Sequence, residues 1–260
     1  MPEADPAARQ SRFLFWAFGW YLRWLFYRRF NAIRISRTGL PQAPPGRPVI
    51  VFTNHPSWWD PALFILLQTR LFPGRTGFGP MDAKALGQYG VLERMGVFGV
   101  EQGTKRGAAR FLSTSLHLLA DPGRMLWITA QGGFADSRIR PIRLRPGLAH
   151  LIRRVPDAIV LPLAVEYTHW NEGKPEALAR FGAPVAAGRS RSVADWTGLL
   201  EAELARTMDA LAAESTARDP RLFQPLLRGA AGVGGIYNLY RRLRAMATGR
   251  RLDISHEGGE

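Results

Sequence analysis

His55 and Asp60 are the residues of this chain whose types and spacing most clearly suggest chemistry. They lie between a run of apolar β-forming residues, 49–52, and an apolar stretch typical of a buried helix, 62–67. Strand ends that feed a helix commonly carry the functional sites of α/β proteins. A chain reversal here would bring the carboxylate to one imidazole nitrogen and leave the other facing a substrate. His55 would then be able to take a proton from a hydroxyl.

The residues between the two suggest where the helix begins. Pro56 biases His55 toward an extended backbone, which places the imidazole before the helix. Ser57 is predicted as the N-cap, so that Asp60 falls near the third helical position. Ser57-x-x-Asp60 also fits a variant capping box, in which the carboxylate only complements the helix dipole. The spacing alone leaves both interpretations open.

Asn54-His55-Pro-Ser57-x-x-Asp60 resembles the His-x-x-x-x-Asp signature of the glycerolipid acyltransferase superfamily, in particular its lysophosphatidic acid acyltransferase (PlsC-like) group. Further blocks follow in the family's order between about residues 30 and 185. They are Met81-Asp-Ala-Lys84, residues 96–100, residues 127–133, Arg145-Pro-Gly147 and residues 159–165. The resemblance implies an acyltransferase in which His55 is the general base and Asp60 orients it.

The third block departs from the family's Phe-Pro-Glu-Gly-Thr-Arg-Ser. Gln131 stands in place of the glutamate and Gly133 in place of the threonine, and Glu101-Gln102 follow the second block where the family has an arginine. In the family these positions are associated with the glycerol phosphate of the acceptor. The resemblance therefore implies acyl transfer to the hydroxyl or amine of another lipid-like acceptor. A true lysophosphatidic acid acyltransferase of phospholipid synthesis and a catalytically silent homologue that binds anionic lipid are the alternatives.

Several other residues are predicted to bind substrate. The Gly-rich loop after the strand at 125–129 offers backbone donors for an oxyanion or a phosphate, and the arginines that follow it suit the phosphates of a coenzyme or of a carrier arm. An alternating basic string is also typical of a solvated strand face. The substrate-binding candidates are Asn54, Ser57, Lys84, Gln131, Gly132, Gly133, Arg138, Arg143 and Arg145. We expect no metal and no bound cofactor, with acyl-coenzyme A or acyl-carrier protein as co-substrate.

Composition limits the class of protein. A chain of 260 residues with 46% hydrophobic content can bury the core of one domain. It contains no cysteine, which excludes disulfides and thiolate sites. The formal charge of +14 attracts polyanions. Nucleic-acid binding is suggested by the charge and by no other feature. We therefore expect the partners to be an anionic membrane surface, the acyl donor and a lipid acceptor, and no nucleic acid.

Residues 13–30 are rich in aromatic side chains and end in Arg28-Arg29. Their uncharged part, 13–22, has ten residues, about half of the roughly 20 that a membrane-spanning helix needs. Aromatic residues with arginine are typical of a helix that lies in the headgroup zone, although a core-packing helix would also fit. We expect the protein at the cytoplasmic face of the cell membrane, as a peripheral or monotopic protein.

The pattern as a whole predicts a single α/β domain, with a mixed, mostly parallel sheet flanked by helices and an amphipathic aromatic helix at the N-terminus. The expected divisions are a disordered tail (1–12), a membrane-interface helix (13–30), an acyltransferase domain (31–190) and a C-terminal helical extension (191–260). We also predict one helix over 83–95, an edge strand or a bulge at Pro162, and a second membrane-surface helix within 229–249.

Overall fold

The structure, a computed structural model, describes residues 5–230, and nine strands within this range form one sheet. The strands are β1 (Ala32–Ser36), β2 (Val49–Thr53), β3 (Thr76–Asp82), β4 (Val97–Val100), β5 (Arg124–Thr129), β6 (Ile159–Thr168), β7 (Glu176–Phe181), β8 (Val185–Ala186) and β9 (Phe223–Arg228). The helices are α1 (Pro6–Arg9), α2 (Arg12–Arg29), α3 (Asp60–Leu71), α4 (Ala83–Leu86), α5 (Lys105–Leu119), α6 (Gly147–Ile152) and α7 (Val193–Ala217). Short 3-10 helices cover Gly90–Met95 and Pro220–Leu222.

The strand order is β4-β3-β5-β2-β6-β7-β1-β9, with β8 paired to β6. The first five strands in this order are parallel to one another, so their carboxyl ends lie along one edge of the sheet. The pair β1–β7 is also parallel, whereas β7 and β8 run antiparallel to β6, and β9 runs antiparallel to β1. The predicted mixed, mostly parallel sheet flanked by helices is confirmed.

The central strand β2 is buried on both faces, which is why its sequence is almost continuously apolar. Successive side chains point to opposite faces of a sheet. Ile50 and Phe52 therefore enter the core beneath α5, α6 and α7, and Val49 and Val51 enter the core beneath α2 and α3. This double burial fixes the position of the residues that follow the strand.

Helix α3 begins at Asp60 and its N-cap is Trp59, two residues later than the N-cap predicted at Ser57. Residues 57–60 form a turn instead, in which the Asp60 amide donates to the Ser57 carbonyl (3.2 Å) and the Trp59 amide donates to Ser57 Oγ (3.2 Å). Pro61 lies in the first helical turn, where its missing N–H costs no intrahelical hydrogen bond. The turn draws the Asp60 carboxylate back toward the end of β2.

Two other predicted elements are wrong in detail. The helix predicted over 83–95 is divided into α4 and the 3-10 helix Gly90–Met95, because Gly87 and Gly90 weaken a continuous helix. Strand β6 is interior, so Pro162 is not on an edge. It lies between the β6 residues that pair with β7 and those that pair with β8, where the ladder is interrupted and a missing N–H is tolerated.

The two ends of the described chain also differ from expectation. The predicted disordered tail contains α1, whose N-terminus is capped by the Asp5 side chain. The predicted C-terminal extension is helical in α7, but it continues into β9, which pairs with β1 as part of the sheet. The membrane-surface helix predicted within 229–249 lies almost wholly outside the described residues.

Helix α2 lies between the core and the surface. Its inner side buries Gly19, Leu22 and Phe26. At its end, the rings of Phe26 and Phe30 contact Trp59, with centroids 5.3 and 5.0 Å apart. The helix is therefore packed against the residue that precedes α3. Among residues 5–230, no helix combines the length and the apolar character needed to cross a bilayer.

Candidate active site

His55 and Asp60 meet at the carboxyl edge of the sheet. Nδ1 of His55 lies 2.6 Å from Oδ2 of Asp60, whose side chain is completely buried, while the His55 side chain retains 16% exposure. Within the described part of the chain, no residue hydrogen-bonds Nε2 of His55. When Nδ1 donates to the carboxylate, Nε2 is left as the acceptor. The arrangement can therefore remove a proton from a group that approaches from the surface.

The Asp60 carboxylate has two further donors. The Tyr167 hydroxyl on β6 donates to Oδ1 (2.8 Å), and the Ser57 amide donates to Oδ2 (3.2 Å). Burial, and then the charge of Asp60, raise the pKa of the Tyr167 phenol well above its ordinary value. The phenol consequently keeps its proton and remains a donor. The bonds fix the carboxylate in the orientation that meets the imidazole.

The loop after β5 is joined to the backbone of His55. The His55 amide donates to Oε1 of Gln131 (3.1 Å), and the Ala135 amide donates to the His55 carbonyl (3.0 Å). Between these two bonds the ring of Phe134 lies on the imidazole, with centroids 4.2 Å apart and an interplanar angle of 33°. Gln131, predicted to bind substrate, here holds the backbone of the segment that carries His55.

Tyr167 and Phe134 are absent from the residues that the sequence singled out. No local spacing points to Tyr167, because only the pairing of β6 with β2 brings it near Asp60. The position of Phe134 in the third block could have drawn attention to it. In the third block of the resembled family, Phe-Pro-Glu-Gly-Thr-Arg-Ser, the position of the arginine falls on Phe134.

Asn54, one of the predicted substrate-binding residues, is not available to a substrate in this structure. Its side chain is buried, with Nδ2 donating to the Val165 carbonyl (2.9 Å) and Oδ1 accepting from the Val165 amide (2.9 Å). The amide group therefore ties the end of β2 to β6. Asn54 positions His55 through the backbone and cannot turn toward a substrate without breaking both bonds.

The two glycines of the loop differ. The Gly132 amide donates to the Thr129 carbonyl (3.0 Å), so the prediction that it is free for an oxyanion is wrong. Gly133 is exposed, and its amide has no hydrogen-bond partner within residues 5–230. Gly133 remains the candidate donor of this loop.

Gly132 has a positive φ of 74°, and a Cβ built on it would lie 2.0 Å from Nε of Arg145. Replacing Gly132 with alanine is expected to destabilise the protein by about 1–2 kcal/mol, because a residue with Cβ disfavours this backbone conformation. The added methyl group also displaces Arg145. The expected result is a lowered Tm, measured by thermal unfolding. Gly133→Ala, which meets no atom within 4 Å, is the matched control for packing.

The three predicted arginines have different surroundings. Arg138 pairs with Asp136 through two contacts (2.9 and 2.7 Å), and this contact lowers the pKa of the Asp136 carboxyl. Arg143 lies 3.8 Å from Glu201 on α7. Both arginines are exposed, and exposed ion pairs contribute little to stability. Each carboxylate nevertheless offsets part of the positive charge of the arginine beside it.

Arg145 instead contacts neutral oxygens. Its Nη2 lies 3.3 Å from Oε1 of Gln102 and 3.5 Å from the Gly132 carbonyl. Gln102 follows β4, so the side chain of Arg145 reaches from the loop after β5 across the end of β3. Lys84, exposed in α4 directly after β3, is on the same edge of the sheet. These two cations lie on the side of the site away from β6.

Comparison with known proteins agrees with the fold. Residues 18–166 match the family model described as Acyltransferase, and the chain belongs to this family. The protein is therefore an acyltransferase, and the resemblance to the glycerolipid acyltransferase superfamily is confirmed. Among solved structures, it is similar to the crystal structure of the 1-acyl-sn-glycerophosphate (LPA) acyltransferase, PlsC, from Thermotoga maritima.

That similarity has a TM-score of 0.54 at 15% identity, and it covers 76% of this chain and 78% of the Thermotoga chain. At this identity the likeness concerns the fold. No curated protein matches the sequence.

Proposed function

We propose that this protein transfers a fatty acyl group from acyl-coenzyme A or acyl-carrier protein to a hydroxyl or amine of a lipid-like acceptor. The observation that carries the proposal is the 2.6 Å contact between His55 and the buried Asp60, with Nε2 of His55 unbonded by any of residues 5–230. An acyltransferase needs a base of this kind because an alcohol is a weak nucleophile until its proton is removed.

In the proposed reaction, Nε2 of His55 takes the proton as the acceptor oxygen attacks the thioester carbonyl. Asp60 stabilises the imidazolium that forms. The Gly133 amide donates to the oxyanion of the tetrahedral intermediate. Collapse of that intermediate breaks the carbon–sulfur bond, and the thiolate takes the proton back from Nε2. These steps require no covalent acyl-enzyme, no metal and no bound cofactor.

The donor's phosphates are proposed to bind beside Arg145. A guanidinium group suits a phosphate because it can offer two parallel N–H groups. Arg145 now contacts neutral oxygens at 3.3 and 3.5 Å, so a phosphate can take their place without breaking an ion pair. Lys84 is proposed to add a second positive charge on this side of the site.

The proposed location is the cytoplasmic face of the cell membrane, with α2 on an anionic surface. Six side chains of α2 that are between 47% and 71% exposed define what we call its aromatic face. They are Phe13, Trp16, Trp20, Tyr21, Trp24 and Tyr27. The guanidinium groups of Arg23 and Arg28 lie over the rings of Trp20 and Trp24, at 5.3 and 5.1 Å. Exposed aromatic rings beside cations suit the headgroup zone of an anionic bilayer.

Replacing Trp16, Trp20 and Trp24 together with serine is expected to release the protein from anionic liposomes. Each indole that leaves the bilayer forfeits about 1.5 kcal/mol or more, so the partition coefficient falls at least about a thousandfold for the three. Co-sedimentation with liposomes measures this. Tyr89→Ser, which removes an exposed aromatic ring outside α2, is the control. Unchanged sedimentation of the triple variant would contradict the membrane proposal.

The reaction itself is tested by thioester consumption. Wild-type protein is incubated with long-chain acyl-coenzyme A or acyl-carrier protein and a panel of lipid alcohols and amines. The expected result is release of free thiol that depends on the acceptor, with the acylated lipid identified by mass spectrometry. If folded, liposome-bound protein releases no thiol with any donor and acceptor, the alternative of a silent lipid-binding homologue is favoured.

A further inference from the structure

We infer that Phe134 makes this enzyme select a lipid acceptor that carries no charged group beside the reacting hydroxyl. The inference rests on the proposed acyl transfer and specifies its acceptor. The role assigned to Phe134 is in specificity and not in catalysis, because its side chain takes no part in the proton transfer.

Phe134 lies where the acceptor must approach. Its ring is 4.2 Å from the His55 ring, centroid to centroid, and the side chain is 64% exposed. The loop that carries it is bonded to the His55 backbone on both sides, through Gln131 and Ala135. An acceptor whose hydroxyl reaches Nε2 therefore places its neighbouring atoms against a phenyl ring that the backbone holds in position.

Three basic residues of the same loop each lie within 4 Å of a carboxylate, which offsets part of their charge. Arg138 pairs with Asp136, while Arg143 lies 3.8 Å from Glu201. Arg140 contacts Asp209 at 2.5 Å.

Arg145, whose contacts within residues 5–230 are with neutral oxygens, extends over Gly132 toward Gln102. The cation best suited to a phosphate is thus on the donor side of the site.

A phosphate beside Phe134 would lose part of its hydration. The phenyl ring would offer it neither a positive charge nor a hydrogen-bond donor in return. Removing a charged group from water without a partner is unfavourable. An unfavourable contact with one ligand contributes to specificity in the same way as a favourable contact with another ligand. The flat face of an aromatic ring instead suits carbon-bound hydrogens and apolar surface. Trp58, 68% exposed and three residues after His55, adds a second exposed ring near the site. The chemical class that fits is a neutral lipid alcohol.

A matched pair of acceptors tests the inference. 1-Oleoylglycerol and 1-oleoyl lysophosphatidic acid share the acyl chain and the free secondary hydroxyl. Where the second carries its phosphate, the first has a primary hydroxyl, so only product acylated at the secondary hydroxyl is counted. Both are presented in the same uncharged detergent micelles, so that surface charge does not bias the comparison. For the wild type, we expect kcat/KM to be at least about tenfold higher for oleoylglycerol, the loss expected when one charge-assisted hydrogen bond is missing.

Phe134→Arg is expected to move this ratio toward lysophosphatidic acid by about 10- to 100-fold, because it places a cation where the phosphate lies. Ile139→Arg is the control. It adds the same side chain at an exposed position of the same loop, away from the His55 ring, and the wild-type ratio should persist. Phe134→Leu keeps an apolar side chain and should keep the preference for oleoylglycerol. Thermal unfolding shows that each variant is folded.

Two outcomes overturn the inference alone. One is wild-type turnover that is equal or faster with lysophosphatidic acid, and the other is a ratio that Phe134→Arg and Ile139→Arg shift equally. In both cases acyl transfer is still observed, so the proposed function stands. Absence of thiol release with every acceptor tested would refute the proposed function instead, and the inference about Phe134 with it.

Discussion

Replacing His55 with alanine is expected to lower kcat for acyl transfer about 10²- to 10⁴-fold, the usual contribution of a positioned general base. The imidazole contacts Asp60 at 2.6 Å and leaves Nε2 for the acceptor hydroxyl. Without it, the hydroxyl must attack the thioester with its proton still bound. The measurement is thiol release at saturating donor and acceptor.

The pattern of constants distinguishes catalysis from binding. His55 interacts with the acceptor proton mainly in the transition state, so kcat and kcat/KM should fall together while KM changes little. His169→Ala is the control, because this exposed histidine follows β6 and lies outside the site. His55→Gln keeps a donor for the buried Asp60 and guards against a loss of stability. A kcat for both His55 variants within about threefold of wild type would exclude a general base at this position.

The contact between His55 and Asp60 was predictable because its geometry is local. A buried strand, a proline that keeps His55 extended, and a turn of four residues suffice to bring the carboxylate to the imidazole. Even here the sequence placed the helix start incorrectly, since Ser57 is a favourable N-cap by type. Whether its side chain caps a helix or a turn depends on where the Asp60 carboxylate is held, and that is decided by β6.

The sheet was predictable for a similar reason. Parallel strands buried on both faces are continuous apolar runs, such as β2 and β5, and these are visible without knowledge of the partners. Strand β9 was not visible, because Phe-Gln-Pro-Leu-Leu-Arg contains a proline and does not alternate. It is a strand because it pairs with β1, where the register shifts between Ile33 and Arg34.

The roles of individual polar groups were the least predictable part. Asn54 and Gly132 are beside the site as expected, but their hydrogen-bonding groups are used by Val165 and Thr129. Residue type shows what a side chain can donate or accept. Which partner it meets is fixed by segments distant in sequence, as the contacts of Arg143 with α7 and of Tyr167 with Asp60 also demonstrate.

Asp60→Asn is the second substitution with a large expected effect, a fall in kcat of about 10⁴-fold by analogy with aspartate-to-asparagine changes in His–Asp pairs. The Tyr167 hydroxyl donates to Oδ1, and it would hold the oxygen of the asparagine at that position. The amide nitrogen would then replace Oδ2, where it loses the bond from the Ser57 amide and faces Nδ1 of His55 as a donor. Nδ1 must accept, so the ring proton moves to Nε2, and Nε2 can no longer take a proton from the acceptor.

The competing interpretation of Asp60, as a residue that only complements the dipole of α3, predicts a different result. Its loss would then cost roughly 0.3–1 kcal/mol of stability and leave kcat nearly unchanged. Measuring kcat together with the Tm of Asp60→Asn separates the two interpretations. The proton NMR spectrum gives an independent test, because the low-field resonance expected for Nδ1–H of His55 should vanish in the variant. Tyr167→Phe, which keeps the carboxylate and removes one donor, should retain that resonance and lose no more than about tenfold in kcat.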